Sequence, residues 1–236
     1  MNSVALMVWL VENRQPLDEV IFADTGGEVP ETYEYLQIAE GYLDIHGIPL
    51  RRVGRPASTD LYETCWRRRV IPSAMWRWST RDFKVGPIHR YYRSSGAPIR
   101  QYIAIAYDEI ERMKDSRVEY VTNLYPLVDK RIDRAGCLEI IARAGLPEPV
   151  KSGCYFCPFN SYDRWRWLNE HHPDLFERAV LLEENSKHFP LQRLTDQVYR
   201  KRDTVTLRQL RARLRSGAER EADSELMSAC GGECMT

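Results

Sequence analysis

Apolar and polar positions follow two periods along this chain, and their order predicts its class. Residues 4–11 form an apolar run containing Trp9 and Leu10 that ends at Glu12-Asn13-Arg14-Gln15-Pro16, the pattern of a helix stopped before a proline. Residues 18–24, with Val20, Ile21 and Phe22 in succession, predict a short buried strand. A loop follows at Thr25-Gly26-Gly27-Glu28-Val29-Pro30. Residues 31–46 place Tyr35, Leu36, Ala39 and Leu43 on one helical face, and Gly47 ends that helix. Residues 48–53 predict a second strand. Helix, strand, helix, strand in that order predicts an α/β fold with a parallel sheet.

Residues 54–100 are rich in loop signals, with helix predicted around 61–69 and 87–92. A further strand is predicted at 101–106. Residues 133–144 read as a helix that carries Cys137 and ends at Gly145 and Pro147. Asn160-Ser161 supplies a cap for a helix through Asp163, Trp165 and Leu168, which Pro173 interrupts and 174–182 resumes. Residues 206–215 form a short basic helix, and 216–236 read as a flexible tail. There is no internal repeat.

Composition narrows the class without naming a function. A chain of 236 residues with 43% hydrophobic and 29% charged residues is long enough to bury a full core, as one domain with an appendage. It has no apolar run of about 18 residues and no basic segment leading into an apolar stretch at its start, so neither a membrane span nor a secretory signal is expected. Six cysteines, two of them in a C-x-x-C, point to a reducing compartment and a cytoplasmic protein. The net charge is zero, but its distribution is lopsided. Residues 1–50 hold nine acidic residues against Arg14 alone, whereas 51–100 hold twelve Lys and Arg against three acids. That basic segment also holds Trp66, Trp76, Trp78, Tyr91 and Tyr92, and cations interleaved with rings suit a phosphate-rich ligand, either a nucleotide or a polynucleotide.

The densest chemical signal is Lys151-Ser-Gly-Cys154-Tyr-Phe-Cys157-Pro158-Phe159, with Cys137 seventeen residues before Cys154. A C-x-x-C puts two thiolates within reach of one metal or cluster, and a third cysteine completes most of a tetrahedral set. The same spacing also describes a redox pair or two buried thiols. His171-His172 precede Pro173 and face different directions, which makes them helix-end residues, and Trp165, Trp167 and Phe176 read as core.

Several segments share an order with a known family. Asp24-Thr25-Gly26-Gly27-Glu28-Val29-Pro30-Glu31-Thr32-Tyr33 resembles the D-T-G-x-x-x-P-E-T-Y stretch of phosphoadenosine-phosphosulfate (PAPS) reductases, within the adenine-nucleotide α-hydrolase-like, PP-loop ATP pyrophosphatase superfamily. Ser79-Thr-Arg-Asp-Phe-Lys84-Val-Gly-Pro87-Ile resembles that family's C-[ST]-x-x-x-K-[IV]-x-P-[IL], and Ile105-Ala106-Tyr107-Asp108-Glu109-Ile-Glu-Arg112 resembles its I-G-I-x-x-D-E-x-x-R. Tyr125-Pro126-Leu127 resembles its Y-P-L, and residues 134–159 resemble a cysteine-rich branch found in phages and bacteria. The resemblance spans roughly residues 1–185. It implies a Rossmann-like (HUP-type) parallel sheet flanked by helices, with a helical, cysteine-bearing C-terminal extension. It divides the chain into a nucleotide-binding region at 1–130, a cysteine-cluster region at 131–185, and a basic helix with tail at 186–236.

The chain departs from the family at three places. The superfamily opens with a strand and a glycine-rich S-G-G-x-[DN]-S turn that cradles phosphate; here Asn2-Ser3 match its last two positions, and the first strand and both glycines are missing. The expectation is a start assigned too far downstream, at a GTG codon read as Met1, with a genuine truncation as the alternative. Ser79 stands where the family has cysteine, so Cys65, Cys230 or Cys234 is left to act as fourth ligand, or one iron stays open. Glu233-Cys234 resembles two residues of the E-C-G-x-H tail that carries a nucleophilic cysteine in PAPS reductases.

The resemblance implies an adenine nucleotide, ATP or PAPS, held by Asn2, Ser3, Asp24, Thr25, Gly26, Gly27, Arg81, Lys84 and Glu109, with Mg²⁺ or ribose at Asp108 and Glu109. It implies catalytic roles for Cys234, Lys84 and Asp108, and a [4Fe–4S] cluster, or alternatively zinc, at Cys137, Cys154 and Cys157. Two reactions follow from it. In the first, ATP adenylates an acceptor and sulfur displaces AMP, the acceptor being a nucleic acid such as tRNA or DNA and the sulfur coming from a donor protein. In the second, a thiol reduces PAPS to sulfite. A non-catalytic, cluster-bearing nucleotide or nucleic-acid binding protein is the third reading.

Overall fold

The computed structural model describes residues 1–54, 59–73, 77–186 and 205–216. In chain order these form α1 (Asn2–Glu12), β1 (Val20–Asp24), α2 (Pro30–Ile45), β2 (Leu50–Gly54), α3 (Leu61–Arg68), α4 (Trp78–Thr80), a π-helical turn (Arg81–Val85), α5 (Gly86–Ser95), β3 (Ile99–Tyr102), a 3₁₀ segment (Tyr107–Arg112), β4 (Val121–Leu124), α6 (Pro126–Asp129), α7 (Arg134–Arg143), α8 (Tyr162–His171), α9 (Pro173–Asn185) and α10 (Leu207–Ser216). Helices flank short strands, β1 beside β2 and β3 beside β4. The latter pair is parallel, with Ile99 opposite Val121 and Tyr102 opposite Leu124. This is the α/β class with parallel pairing that the hydrophobic pattern predicts. Among the described residues no helix is long and apolar enough to cross a membrane.

The chain folds as two compact units, interleaved in sequence. Unit 1 takes residues 1–23, 30–53 and 88–152; unit 2 takes 24–29, 54–87 and 153–236. The chain enters unit 2 at the last residues of β1 and of β2 and again at Gly153, and returns at the start of α2 and within α5. These boundaries differ from the contiguous division at 130 and 185 drawn from motif order, because compactness follows the crossings at strand ends and motif order does not record them.

Unit 1 is built on α1 and α7. Ala5, Leu6, Met7, Val8 and Leu10 are buried on α1, nearly all the way round, which is why the segment reads as an apolar run without a polar face. Their partners include Ile140 and Ile141 of α7 and Ala39 and Leu43 of α2. Asp133 starts α7 by accepting a hydrogen bond from the Gly136 N–H at 2.9 Å. Tyr35 of α2 donates to the Pro147 carbonyl at 2.8 Å, fixing the segment after α7. The strand expected at 101–106 lies earlier, at Ile99–Tyr102. Ile103 still donates to Leu124 at 2.9 Å, but Ile105 donates back to Ile103 at 3.0 Å, and this tight turn ends the ladder.

In unit 2, α9 is the hub, packing against α3, α8 and α10. Trp165 of α8 is fully buried and meets Phe176 of α9 edge-on, with ring centroids 6.1 Å apart, as expected of core residues. Ser161 caps α8 by accepting from the Arg164 N–H at 3.2 Å. His171 ends α8, with its Nδ1 2.9 Å from the Trp167 carbonyl oxygen, and His172 is the junction with α9.

Candidate active site

The loop after β1 is shaped by its own side chains. Asp24 accepts from the Gly26 N–H at 2.8 Å, closing a turn in which Gly26 has φ +71°. A Cβ on Gly26 would lie 2.6 Å from the Asp60 Cβ, and one on Gly27 would lie 2.9 Å from Phe156 Cε1. The space beside each of these glycines, both expected at the nucleotide, is filled by the protein itself. Asp60, pressed against Gly26, caps α3 by accepting from the Glu63 N–H at 2.7 Å. The loop is stapled to the cysteine turn by a bridge between Glu28 and Cys154 and by the Tyr155 N–H donating to the Gly27 carbonyl at 2.8 Å.

Glu28 is the residue that sequence reasoning missed here. It is buried, at 6% exposure, and its carboxylate accepts from the Gly153 N–H at 2.7 Å and from the Thr25 hydroxyl at 3.3 Å. Thr25 Oγ1 in turn lies 3.4 Å from Cys154 Sγ. Glu28 falls on a variable position of the motif, so nothing in the motif marks it; its signal is a carboxylate inside a Gly-Gly turn.

The second wall comes from residues 77–84. Trp78 and Phe83 are buried and meet edge-on, with ring centroids 6.1 Å apart. They are five residues apart, as are Ser79 and Lys84. The segment continues from α4 into the π-helical turn, where the Gly86 N–H donates to the Arg81 carbonyl five residues back. The aromatic pair anchors the segment in the core, and Ser79, Thr80 and Lys84 line a cleft. Such turns recur at functional sites.

That cleft, open to solvent, lies within unit 2. Thr25, Arg77, Ser79, Lys84, Cys154 and Cys157 are on its lining. Arg77, also absent from the sequence-derived site, has its guanidinium 5.9 Å from the centre of the Phe159 ring, which lines the cleft too. Two cations, several hydroxyls and two thiols on one concave surface suit an anionic ligand and a nucleophile. Cys65 lies beneath in the core with no exposed surface, and burial, then proximity to Cys154, pushes its thiol pKa up. Arg81 is not on the lining; its side chain is exposed and paired with Asp82 at 2.7 Å.

The remaining expected residues belong to unit 1. Asn2 Nδ2 donates to Glu109 at 3.0 Å, and Arg112 donates to the other Glu109 oxygen at 2.8 Å. The Asn2 bond ties the first turn of α1 to the 3₁₀ segment, while the buried Asn2 Oδ1 has no hydrogen-bond partner among the described residues. Ser3 and Asp108 are exposed. Cys137 is fully buried, and its thiol pKa is pushed up to about 11, chiefly by burial and further by Asp108. Among the described residues no three His, Cys, Asp or Glu side chains gather as a set able to hold a metal ion. Of the expected trio, Cys137 belongs to unit 1 and Cys154 and Cys157 to unit 2. Cys230 and Cys234 lie outside the described residues.

No family model and no curated protein matches this chain. Among solved structures it is similar to phosphoadenylyl-sulfate (PAPS) reductase from Candida auris in a phosphate complex, at 15% identity, over 63% of this chain and 70% of that one, with a TM-score of 0.43.

Proposed function

We propose that this chain is an enzyme using an adenine nucleotide in sulfur chemistry, with the anionic end of the nucleotide in the unit 2 cleft beside Cys154. The observation that carries the reading is the convergence of separate sequence blocks on one surface. Thr25 comes from the D-T-G block, Ser79 and Lys84 from the block ending at Pro87, and Cys154 and Cys157 from the cysteine block, and all five residues line the same cleft. Those are three of the five blocks that resemble PAPS reductases and their PP-loop relatives.

The chemistry follows from the residue types. Lys84 and Arg77 neutralise a phosphate or sulfonate, and Ser79 and Thr80 offer its oxygens hydroxyl donors. A nucleophile held beside the anion needs no second encounter, and Cys154 is in that position. A [4Fe–4S] cluster or zinc, implied by the resemblance at Cys137, Cys154 and Cys157, would supply a sulfur carrier or a structural clamp; no step here depends on it. Two nucleotide reactions fit the cleft: ATP cleaved to AMP and pyrophosphate while sulfur moves to an acceptor such as a nucleic acid, or PAPS reduced by a thiol to sulfite. Cys154 on the lining favours a thiol route in either case.

The test is turnover with each nucleotide under anaerobic conditions. Release of AMP and pyrophosphate from ATP, or of sulfite from PAPS, abolished by Lys84→Ala, supports the reading. Neither release, together with no binding of either nucleotide, overturns it in favour of a non-catalytic role.

A further inference from the structure

We infer that Cys154 and Cys157 are a dithiol–disulfide pair, exchanging with anionic thiol compounds that enter the unit 2 cleft. The inference shares the cleft with the nucleotide reading but stands without nucleotide turnover.

Four observations carry it. The Cys157 N–H donates to the Cys154 carbonyl at 2.9 Å, a turn that holds the two Cα atoms within about 7 Å. A disulfide spans roughly 4.4–6.8 Å between Cα atoms, so the pair can close without unfolding the turn. The turn is also anchored, by the bridge to Glu28 and the Tyr155 N–H bond to Gly27. Next, the two sulfurs differ in access: Cys154 is half-buried and Cys157 is buried, while both line the cleft. That is the arrangement of an attacking thiol with a resolving thiol behind it. Third, no further His, Cys, Asp or Glu completes a metal-holding set with them among the described residues. Cys65, the other described cysteine of unit 2, is sealed in the core and is no competitor for an external disulfide. Finally, Arg77 and Lys84 on the same lining select for compounds that carry carboxylates.

The exchange balances without a cofactor. Cys154, as thiolate, attacks one sulfur of a disulfide R–S–S–R; the S–S bond breaks and the first R–S⁻ leaves and takes up the proton lost by Cys154. Cys157, as thiolate, then attacks Cys154 Sγ; the mixed disulfide breaks, the Cys154–Cys157 bond forms, and the second R–S⁻ leaves with the other proton. Two electrons pass from the pair to R–S–S–R, giving two R–SH, and two equivalents of R–SH reverse the sequence.

The test uses the full chain, reduced and kept anaerobic, with its iron and zinc content measured first. It is mixed with glutathione disulfide, which is anionic, or cystamine, which is cationic, and followed by intact mass and peptide mapping. The expected result with glutathione disulfide is a protein two hydrogens lighter, with Cys154 linked to Cys157 and no glutathione retained. Cys157→Ser stops with one glutathionyl group on Cys154. At low salt glutathione disulfide reacts about tenfold faster than cystamine, and Lys84→Ala removes that preference. The inference is overturned by stoichiometric iron or zinc that Cys154→Ser abolishes, by glutathione added without closure in the unaltered chain, or by equal rates with the two disulfides. Should Cys157→Ser fail to fold, mapping of the closed bond in the unaltered chain decides alone. Nucleotide binding is measured on the same samples: closure without binding sinks the nucleotide reading only, and binding without closure sinks the dithiol pair only.

Discussion

Ser79, in α4, and Lys84, in the π-helical turn that follows it, line the same cleft, while Trp78 and Phe83 anchor the segment in the core. Removing the ammonium while keeping the turn isolates the charge. Lys84→Ala is expected to weaken nucleotide binding by about 1.5–3 kcal/mol, roughly 10- to 100-fold, with little change in melting temperature. Lys84→Arg recovers part of the affinity. Equilibrium binding of ATP and of adenosine 3′,5′-bisphosphate checks both.

Gly27 is required by a neighbour. With Phe156 Cε1 2.9 Å from where its Cβ would sit, Gly27→Ala forces a buried ring to move, at a cost of about 1–3 kcal/mol. Thermal unfolding is expected to show a fall of several degrees. Unchanged melting would mean that the packing between the loop and the cysteine turn is looser than described.

The docking of α10 turns on acids of α9. Glu183, buried at 7% exposure, accepts from the Leu207 N–H at 2.7 Å, and Glu184 pairs with Arg208 through bonds of 2.5 and 3.0 Å. Glu183→Ala leaves a buried N–H unpaired and is expected to cost about 1–3 kcal/mol, read by thermal unfolding. Arg208 holds the Glu184 pKa below its ordinary 4.5. The folded state therefore binds fewer protons there than the unfolded chain, so this contribution is present above pH 4.5 and is lost as pH falls through the lowered pKa. Proteolysis near residue 205 is expected to accelerate in acid, and less so in Glu184→Gln.

Cys137 and Cys154 are expected to part company toward alkylating agents. Burial and Asp108 keep the Cys137 thiol protonated up to about pH 11, whereas Cys154 opens on a cleft. At pH 8 iodoacetamide labels Cys154 and spares Cys137, as peptide mapping would show. Labelling of Cys137 at a comparable rate would contradict its place in the unit 1 core.

Much of this was legible in the sequence, in identifiable ways. Asp133 and Ser161 precede their helices as capping residues should, and both accept the expected backbone bond. The apolar run before Pro16 marked the helix α1, and Trp165 and Phe176 marked core. What stayed hidden depended on contacts distant in sequence or on rare backbone. The π-helical turn that holds Lys84 is rare backbone that no propensity announces. Arg77 was one cation among twelve in its segment, and only the fold singles it out. Glu28 looked like a loop residue because its partner, the Gly153 N–H, is 125 positions away. Asn2 and Glu109, expected on a ligand, bond each other across 107 positions, a pairing no local pattern reveals.

The central claim is that the unit 2 cleft holds the anionic end of an adenine nucleotide beside Cys154. Binding of radiolabelled ATP and PAPS to the unaltered chain and to Arg77→Ala/Lys84→Ala tests it most directly. The account predicts saturable binding of at least one nucleotide, weakened at least ~100-fold by the double substitution while the melting temperature holds. Equal affinity in the two proteins would put the nucleotide elsewhere and contradict the account.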